Sequence, residues 1–251
     1  MVMRRPEVSV VMPAFNAAAT IESSMHSALM QADADLEIVV VDDRSSDATW
    51  EIIEEMMVRD PRVVGARQAR NQGVAAARNL GLEAARGRKI AFLDSDDRWH
   101  AGKLAAQVAY MEQTGSAICY APYRRVDETG ACKSVVVPPT RVDYRDMLRS
   151  NHIGNLTAIY DRSLGDGRFQ RVGHEDYVFW LEMVKRAGQA VRLPGADPVA
   201  DYLVRSGSLS GNKWRAARWQ WDIYRRLVKL DVVRSAWYFT QYAAIAAAKR
   251  H

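Results

Sequence analysis

The sequence predicts an α/β fold: a mainly parallel central sheet flanked by helices, followed by a C-terminal helical extension. Two observations carry this expectation. Between residues 7 and 114, short apolar runs rich in β-branched residues alternate with stretches of helical periodicity. That alternation is the signature of a parallel sheet covered on both faces. Beyond about residue 213 the alternation is gone, and a basic, tryptophan-rich segment of helical character takes over. The chain has 251 residues, 48% of them hydrophobic and 26% charged. This is ample for a buried core and excludes a disordered, collagenous or disulfide-scaffold protein.

The elements follow in order. Val8 to Met12 reads as a buried strand ended by Pro13, and Ala17 to Gln31 as a helix with Ile21, Met25, Ala28 and Leu29 on one face. Leu36 to Val41 is a second strand, stopped by Asp42-Asp43. Ser46 or Asp47 can cap the next helix, Ala48 to Arg59. A weaker strand at Arg62 to Ala66 precedes an Ala-rich helix, Val74 to Ala85. Lys89 to Leu93 is a fourth strand, and Lys103 to Gln113 a further helix. After residue 115 the reading is sparser. Strands are expected at Ala117 to Ala121 and Ser134 to Val137 around a Glu128-Thr129-Gly130 turn, then at Leu156 to Tyr160 and Pro198 to Val204. Helices are expected at Glu175 to Ala187, Lys213 to Leu230 and Val232 to Lys249.

Three strand ends carry unusual residues. They are Pro13-Ala14-Phe15-Asn16, Asp42-Asp43 and Asp94-Ser95-Asp96-Asp97. In doubly wound sheets ligands gather at the carboxyl ends of the strands. Three carboxylates within four residues repel one another unless a cation or many donors neutralise them. Mg²⁺ takes one or two such groups and completes its shell with water and phosphate. The plain alternative is a loop whose aspartates cap a helix and face water. Asp42-Asp43 could likewise be a simple turn, or a carboxylate accepting from a base or ribose. Phe15 could pack in the core or stack on a base. His174-Glu175-Asp176 opens a late helix, where an acidic residue is either a dipole partner or a general base. Cys119 and Cys132 lack a partnering Cys or His cluster, and no dinucleotide or Walker glycine pattern is present.

Taken together, the blocks Val8 to Asn16, Ile38 to Thr49, Asn71 to Trp99, His174 to Gly188 and Tyr202 to Ser210 resemble the inverting GT-A glycosyltransferases of family 2. The segments Tyr120 to Tyr123 and Asn155 to Asp161 resemble a bacterial branch that builds surface polysaccharides. The resemblance implies a Rossmann-like GT-A fold and a nucleotide-sugar donor, with UDP expected. Pro13, Ala14, Phe15 and Asn16 then correspond to the nucleoside loop, and Asp43, beside Asp42, to the uracil acceptor. Asn71 and Arg78 match polar positions facing the nucleotide. Asp94 and Asp96 match the DXD pair for Mg²⁺ or Mn²⁺, with Ser95 between them on the nucleotide and Asp97 as an alternative ligand one residue away. Asp176 matches the catalytic base, and Arg205 falls where a basic residue could approach the diphosphate. Phe15 stands where the family often has Tyr, Arg44 where it often has Gly, and Ala101 where Pro is common. Two rival readings are a nucleotidyltransferase and a non-catalytic nucleotide-sugar-binding module. The first is disfavoured because residues 13 to 24 hold no Lys or Arg for a triphosphate.

The expected organisation is a catalytic domain over 1–211, with a nucleotide-binding half (1–114) and an acceptor half (115–211), followed by basic, aromatic helices over 212–251. The formal charge of +5 is concentrated at that end. Residues 213–251 hold nine basic and two acidic side chains, and four of the seven tryptophans. Such a tail leaves two readings open, one of them peripheral contact with the inner membrane surface through 213–250, near a glycan or lipid-linked acceptor. A helical pair packed on the domain with its cations solvated is the alternative, and nucleic acid is not expected. No run reaches the roughly 20 apolar residues of a spanning helix, and no signal peptide is visible, so a cytoplasmic protein is expected.

Overall fold

The computed structural model describes residues 5–31, 34–204 and 213–248. The first half winds as β1 (Val8–Ala14), α1 (Ile21–Leu29), β2 (Leu36–Asp42), α2 (Thr49–Arg59), β3 (Val63–Arg67), α3 (Val74–Ala84) and β4 (Lys89–Phe92). The short β5 (Arg98–Trp99) and α4 (Lys103–Thr114) follow. Strands β1, β2 and β4 are wholly buried, as their mainly apolar runs require of strands covered on both faces. β2 and β4 both pair parallel to β1, and β3 extends the parallel set beyond β2. β1 does not stop at Pro13 as the sequence suggested. It pairs with β4 only from Val8 to Val11 but with β2 through Ala14. Pro13 therefore lies beyond its last β4 partner, where its missing N–H interrupts no ladder on that side.

The second half is less regular: β6 (Ile118–Tyr120), β7 (Tyr123–Val126), β8 (Cys132–Val136), β9 (Arg141–Asp143), α5 (Tyr144–Arg149), β10 (Ile159–Asp161), α6 (Glu175–Ala187), β11 (Gln189–Arg192) and β12 (Ala200–Leu203). The eight-stranded main sheet has the order β3-β2-β1-β4-β10-β6-β11-β9. β10 enters antiparallel between β4 and β6, so the sheet is mixed at this end. A second sheet, β5-β12-β7-β8, stands apart. The hairpin partner of β8 is β7, not the 117–121 strand, which joins the main sheet as β6.

Two apolar clusters sandwich the main sheet. One centres on Phe92, which meets Phe169 and Phe179 edge-on at 5.2 and 5.4 Å, while those two rings stack at 4.2 Å. Such pairs add about 0.5–1.5 kcal/mol each beyond the area they bury. The chain closes with α7 (Lys213–Asp222), which widens into a π turn over Ile223–Leu227, and α8 (Val232–Ala248). Ile223 and Tyr224 are buried, and the Tyr224 hydroxyl donates to the Leu148 carbonyl at 2.5 Å. The C-terminal helices are therefore packed on the domain.

Candidate active site

The parallel registers bring the ends of β1, β2 and β4 to one edge of the sheet. The loops after β1 and β2 are stitched together there. The Asn16 amide donates to Ser45 Oγ at 2.9 Å, and Asn16 Oδ1 accepts from the Ser46 amide at 2.9 Å. Asn16 holds a left-handed φ of 47°, a conformation Asn tolerates better than most residues. Phe15, beside it, is 51% exposed, so it is not the core residue its chemistry would allow. Asp42 is fully buried. Its Oδ1 accepts from the Ser45 amide at 3.0 Å, and its Oδ2 pairs with Arg67 Nε at 2.9 Å.

Asp43 clamps the loop leading into α3. Its Oδ1 and Oδ2 accept from the Gln72 and Gly73 amides, each at 2.7 Å. Gly73 has a φ of 87°, which an L side chain rarely adopts. Asn71, one residue before this clamp, is exposed. A cleft of about 990 Å³ begins at this loop, with Gln72 and Gly73 in its wall. Further along it are Arg78, Asp94, Asp97, Asp176, Tyr202 and Trp219.

Arg78 joins the end of β4 to the start of α6. It is 4% exposed on α3, and its Nη2 donates to Asp94 Oδ1 at 2.7 Å while its Nη1 donates to Glu175 Oε1 at 2.8 Å. Burial alone would lower its pKa, but Asp94 and Glu175 outweigh that and hold the guanidinium firmly charged. Asp94 comes from the end of β4 and Glu175 from the first turn of α6, 81 positions later. Asp176 follows Glu175. Desolvation pushes its carboxyl above the usual range and Glu175 adds to the push, while Arg78 offsets part of it.

Asp96 and Ser95 form the turn between Asp94 and Asp97, closed by the Asp97 amide donating to the Asp94 carbonyl at 3.1 Å. Asp97 is 1% exposed, and its Oδ1 accepts from the Leu203 amide at 2.9 Å. It thereby ties β12 of the second sheet to the edge of the first. Burial, then Asp94 and Asp96, raise its pKa well above the ordinary carboxylate value. Among the described residues no three His, Cys, Asp or Glu side chains form a cage for a metal. A pair of carboxylates with open positions still fits Mg²⁺ or Mn²⁺, which take hard oxygen donors and leave room for phosphate and water. Arg205 lies outside the described residues.

The structure thus gathers Asp94, Asp97, Arg78 and Asp176 into one cleft, with the 13–16 and 42–43 loops adjoining it through Asp43. Sequence reasoning gave no individual role to Tyr123, Tyr202 or Trp219, and took Glu175 only as an acidic residue in the first turn of a helix. Trp219 is the least expected. It reaches the cleft from α7, meets the His174 ring edge-on at 5.3 Å and lies against Gly173, where any Cβ would come within 1.9 Å of its ring.

The model of the family described as glycosyl transferase family 2 matches residues 9–167. The chain belongs to glycosyl transferase family 2. This family 2 glycosyltransferase is 35% identical over 250 residues to TuaG of Bacillus subtilis (strain 168), whose name assigns it to teichuronic acid biosynthesis. The match covers 98% of both chains. It is 34% identical over 249 residues to WfgD of Escherichia coli, covering 96% of this chain and 94% of that one. WfgD is named as a UDP-Glc:alpha-D-GlcNAc-diphosphoundecaprenol beta-1,3-glucosyltransferase. Among solved structures, the mannosyltransferase PcManGT of Pyrobaculum calidifontis, in complex with GDP-Man and Mn²⁺, superposes with a TM-score of 0.68 at 21% identity. That likeness covers 98% of this chain and 75% of that one, and shows the GT-A fold.

Proposed function

We propose that this family 2 glycosyltransferase moves a sugar from a UDP-sugar to a hydroxyl of a lipid-linked glycan in bacterial polysaccharide biosynthesis, with inversion and with Asp176 as general base. The observation that carries the reading is the meeting of Asp176 and Asp94 in one cleft, linked through Glu175 and Arg78. The relative WfgD, named for a UDP-Glc donor and a diphosphoundecaprenol acceptor, supports the donor and acceptor classes.

In this reading the loop of Pro13, Ala14, Phe15 and Asn16, with Asp42, Asp43 and Asn71, holds the nucleoside. Asp43 fixes the 72–73 amides, and exposed Phe15 offers a ring face to the base. Arg78 is a positioning residue that holds Asp94 and the start of α6 in fixed relation. Asp94 and Asp96, with Asp97 beside them, would hold Mg²⁺ or Mn²⁺, with Ser95 against the nucleotide. When bound, such an ion supplies Lewis-acid neutralisation of the departing diphosphate. Asp176 takes the proton of the acceptor hydroxyl as its oxygen bonds to the anomeric carbon and the bond to the diphosphate breaks. One displacement inverts the configuration, and no sugar–enzyme bond forms.

General-base catalysis contributes about 10²–10⁴-fold. Asp176→Asn is therefore expected to lower kcat by that order while calorimetric UDP binding survives. Donor affinity falling in step with turnover would refute the assignment.

A further inference from the structure

Among the described residues, nothing covers one face of α8. Its inner face is committed. Tyr238 and Phe239 pack against the main core, Phe239 meets Trp221 at 5.8 Å, and Tyr238 meets Tyr224 at 6.2 Å. The outer face presents Val233, Ala236, Trp237, Thr240, Ala243 and Ala244, all exposed and spaced by the helical period. Val233 is 79% exposed and Trp237 65%. No charged residue occurs from Ser235 to Ala248. The only hydroxyl on this face, that of Thr240, is turned back to the Trp237 carbonyl at 2.8 Å. A helix face against water normally carries charge, and an apolar stripe of this length calls for an apolar cover.

The surroundings of the stripe identify that cover. Residues 213–248 contain seven basic and two acidic side chains. Both acids are already neutralised, Asp222 by Arg226 at 3.2 Å and Asp231 by Arg234 at 3.4 Å. Arg218 and Lys229 are exposed beside them. A second copy would set like charges against each other, whereas anionic headgroups complement them. Among the described residues no helix is long and apolar enough to cross a membrane, so α8 would lie in the plane of the surface.

We propose that the outer face of α8 seats on an anionic lipid surface, with Val233 and Trp237 entering the interface and the exposed Arg218 and Lys229 at the headgroups. The proposal rests on the lipid-linked acceptor reading and sharpens it. α8 packs on α7, whose Trp219 walls the cleft, so the membrane face and the reaction cleft share one helical pair. Of the four tail tryptophans, Trp219 and Trp221 pack inward, whereas Trp214 and Trp237 are exposed.

The test is flotation of the full chain with vesicles of mixed phosphatidylcholine and phosphatidylglycerol, against phosphatidylcholine alone, at low and high salt. The wild type is expected to float with the mixed vesicles, less so at high salt. Val233→Glu with Trp237→Glu should cut the bound fraction about tenfold or more, and Arg218→Glu with Lys229→Glu should remove the preference for anionic lipid. Calorimetric UDP binding, measured without vesicles, should be retained by all variants, reporting that they fold. A wild type that stays below the gradient with either vesicle overturns the proposal. So do variants that float like the wild type, or a dimer that the Val233/Trp237 variant dissociates without any lipid binding. A wild type that floats but binds no UDP would instead strike the transfer reading alone.

Discussion

Asp176, the proposed base, shows how much chemistry one position can carry. A base must be ionised to accept a proton, and desolvation with the Glu175 charge raises its pKa. The acid limb of kcat/KM is therefore expected above the ordinary aspartate range, with activity falling as pH drops through it. Glu175→Gln should move that limb down, and a limb at the ordinary value in the wild type would count against a desolvated base. The sign for stability is opposite. Between the unfolded pKa, about 3.9, and the raised folded one, the native state holds the proton more tightly, so stability falls as pH rises across that window. The acidic strand ends were visible in the sequence because carboxylates crowd there, and Asp176 through the resemblance carried by the His174 to Gly188 block. The ion pair of Arg78 with Glu175 was not, because it joins positions 97 residues apart through tertiary contact alone.

At the scale of elements, α7 acts as a wall of the cleft. Trp219 and Gly173 leave no room between them, and overpacking by one methyl group costs about 1–3 kcal/mol where neighbours cannot yield. Gly173→Ala is expected to displace the indole and raise the acceptor KM by about tenfold, a cost of ~1.4 kcal/mol, with UDP affinity unchanged. Trp219→Ala should act in the same direction. Steady-state kinetics with varied acceptor would decide it, and an unaltered KM in both variants would remove the wall role. The parallel half was legible because its strands are continuous apolar runs and its helices keep their period. β7, β9, β11 and α5 were not, being three to six residues long. β7 in particular carries Arg124 and Arg125, so the more apolar 117–121 run was the better-looking hairpin partner. The tail read as basic and aromatic, but composition does not say which tryptophan turns inward.

Across the whole molecule, the site is a seam between two sheets. The main sheet supplies the strand-end carboxylates, and the Asp97–Leu203 hydrogen bond fastens the smaller sheet to that edge. A ligand bound at the seam holds both sheets. UDP with Mn²⁺ is expected to raise Tm, by about 2.7 kcal/mol of stabilisation at one hundred times Kd, and chelation should erase the gain. Differential scanning calorimetry would read it, and equal Tm with and without Mn²⁺ would argue against a metal-held donor. The split between donor and acceptor halves was drawn from the sequence near residue 115, yet the buried Arg78 guanidinium reaches across it. Arg78 sits in the first half and divides its charge between Asp94 and Glu175. Leaving such a buried cation half neutralised costs several kcal/mol, about 3–5 for a fully lost partner. Grafting a relative's acceptor half onto this nucleotide half would therefore fail unless the graft brought a carboxylate to the place of Glu175. The boundary along which this chain could be recombined runs around Arg78, not between the halves.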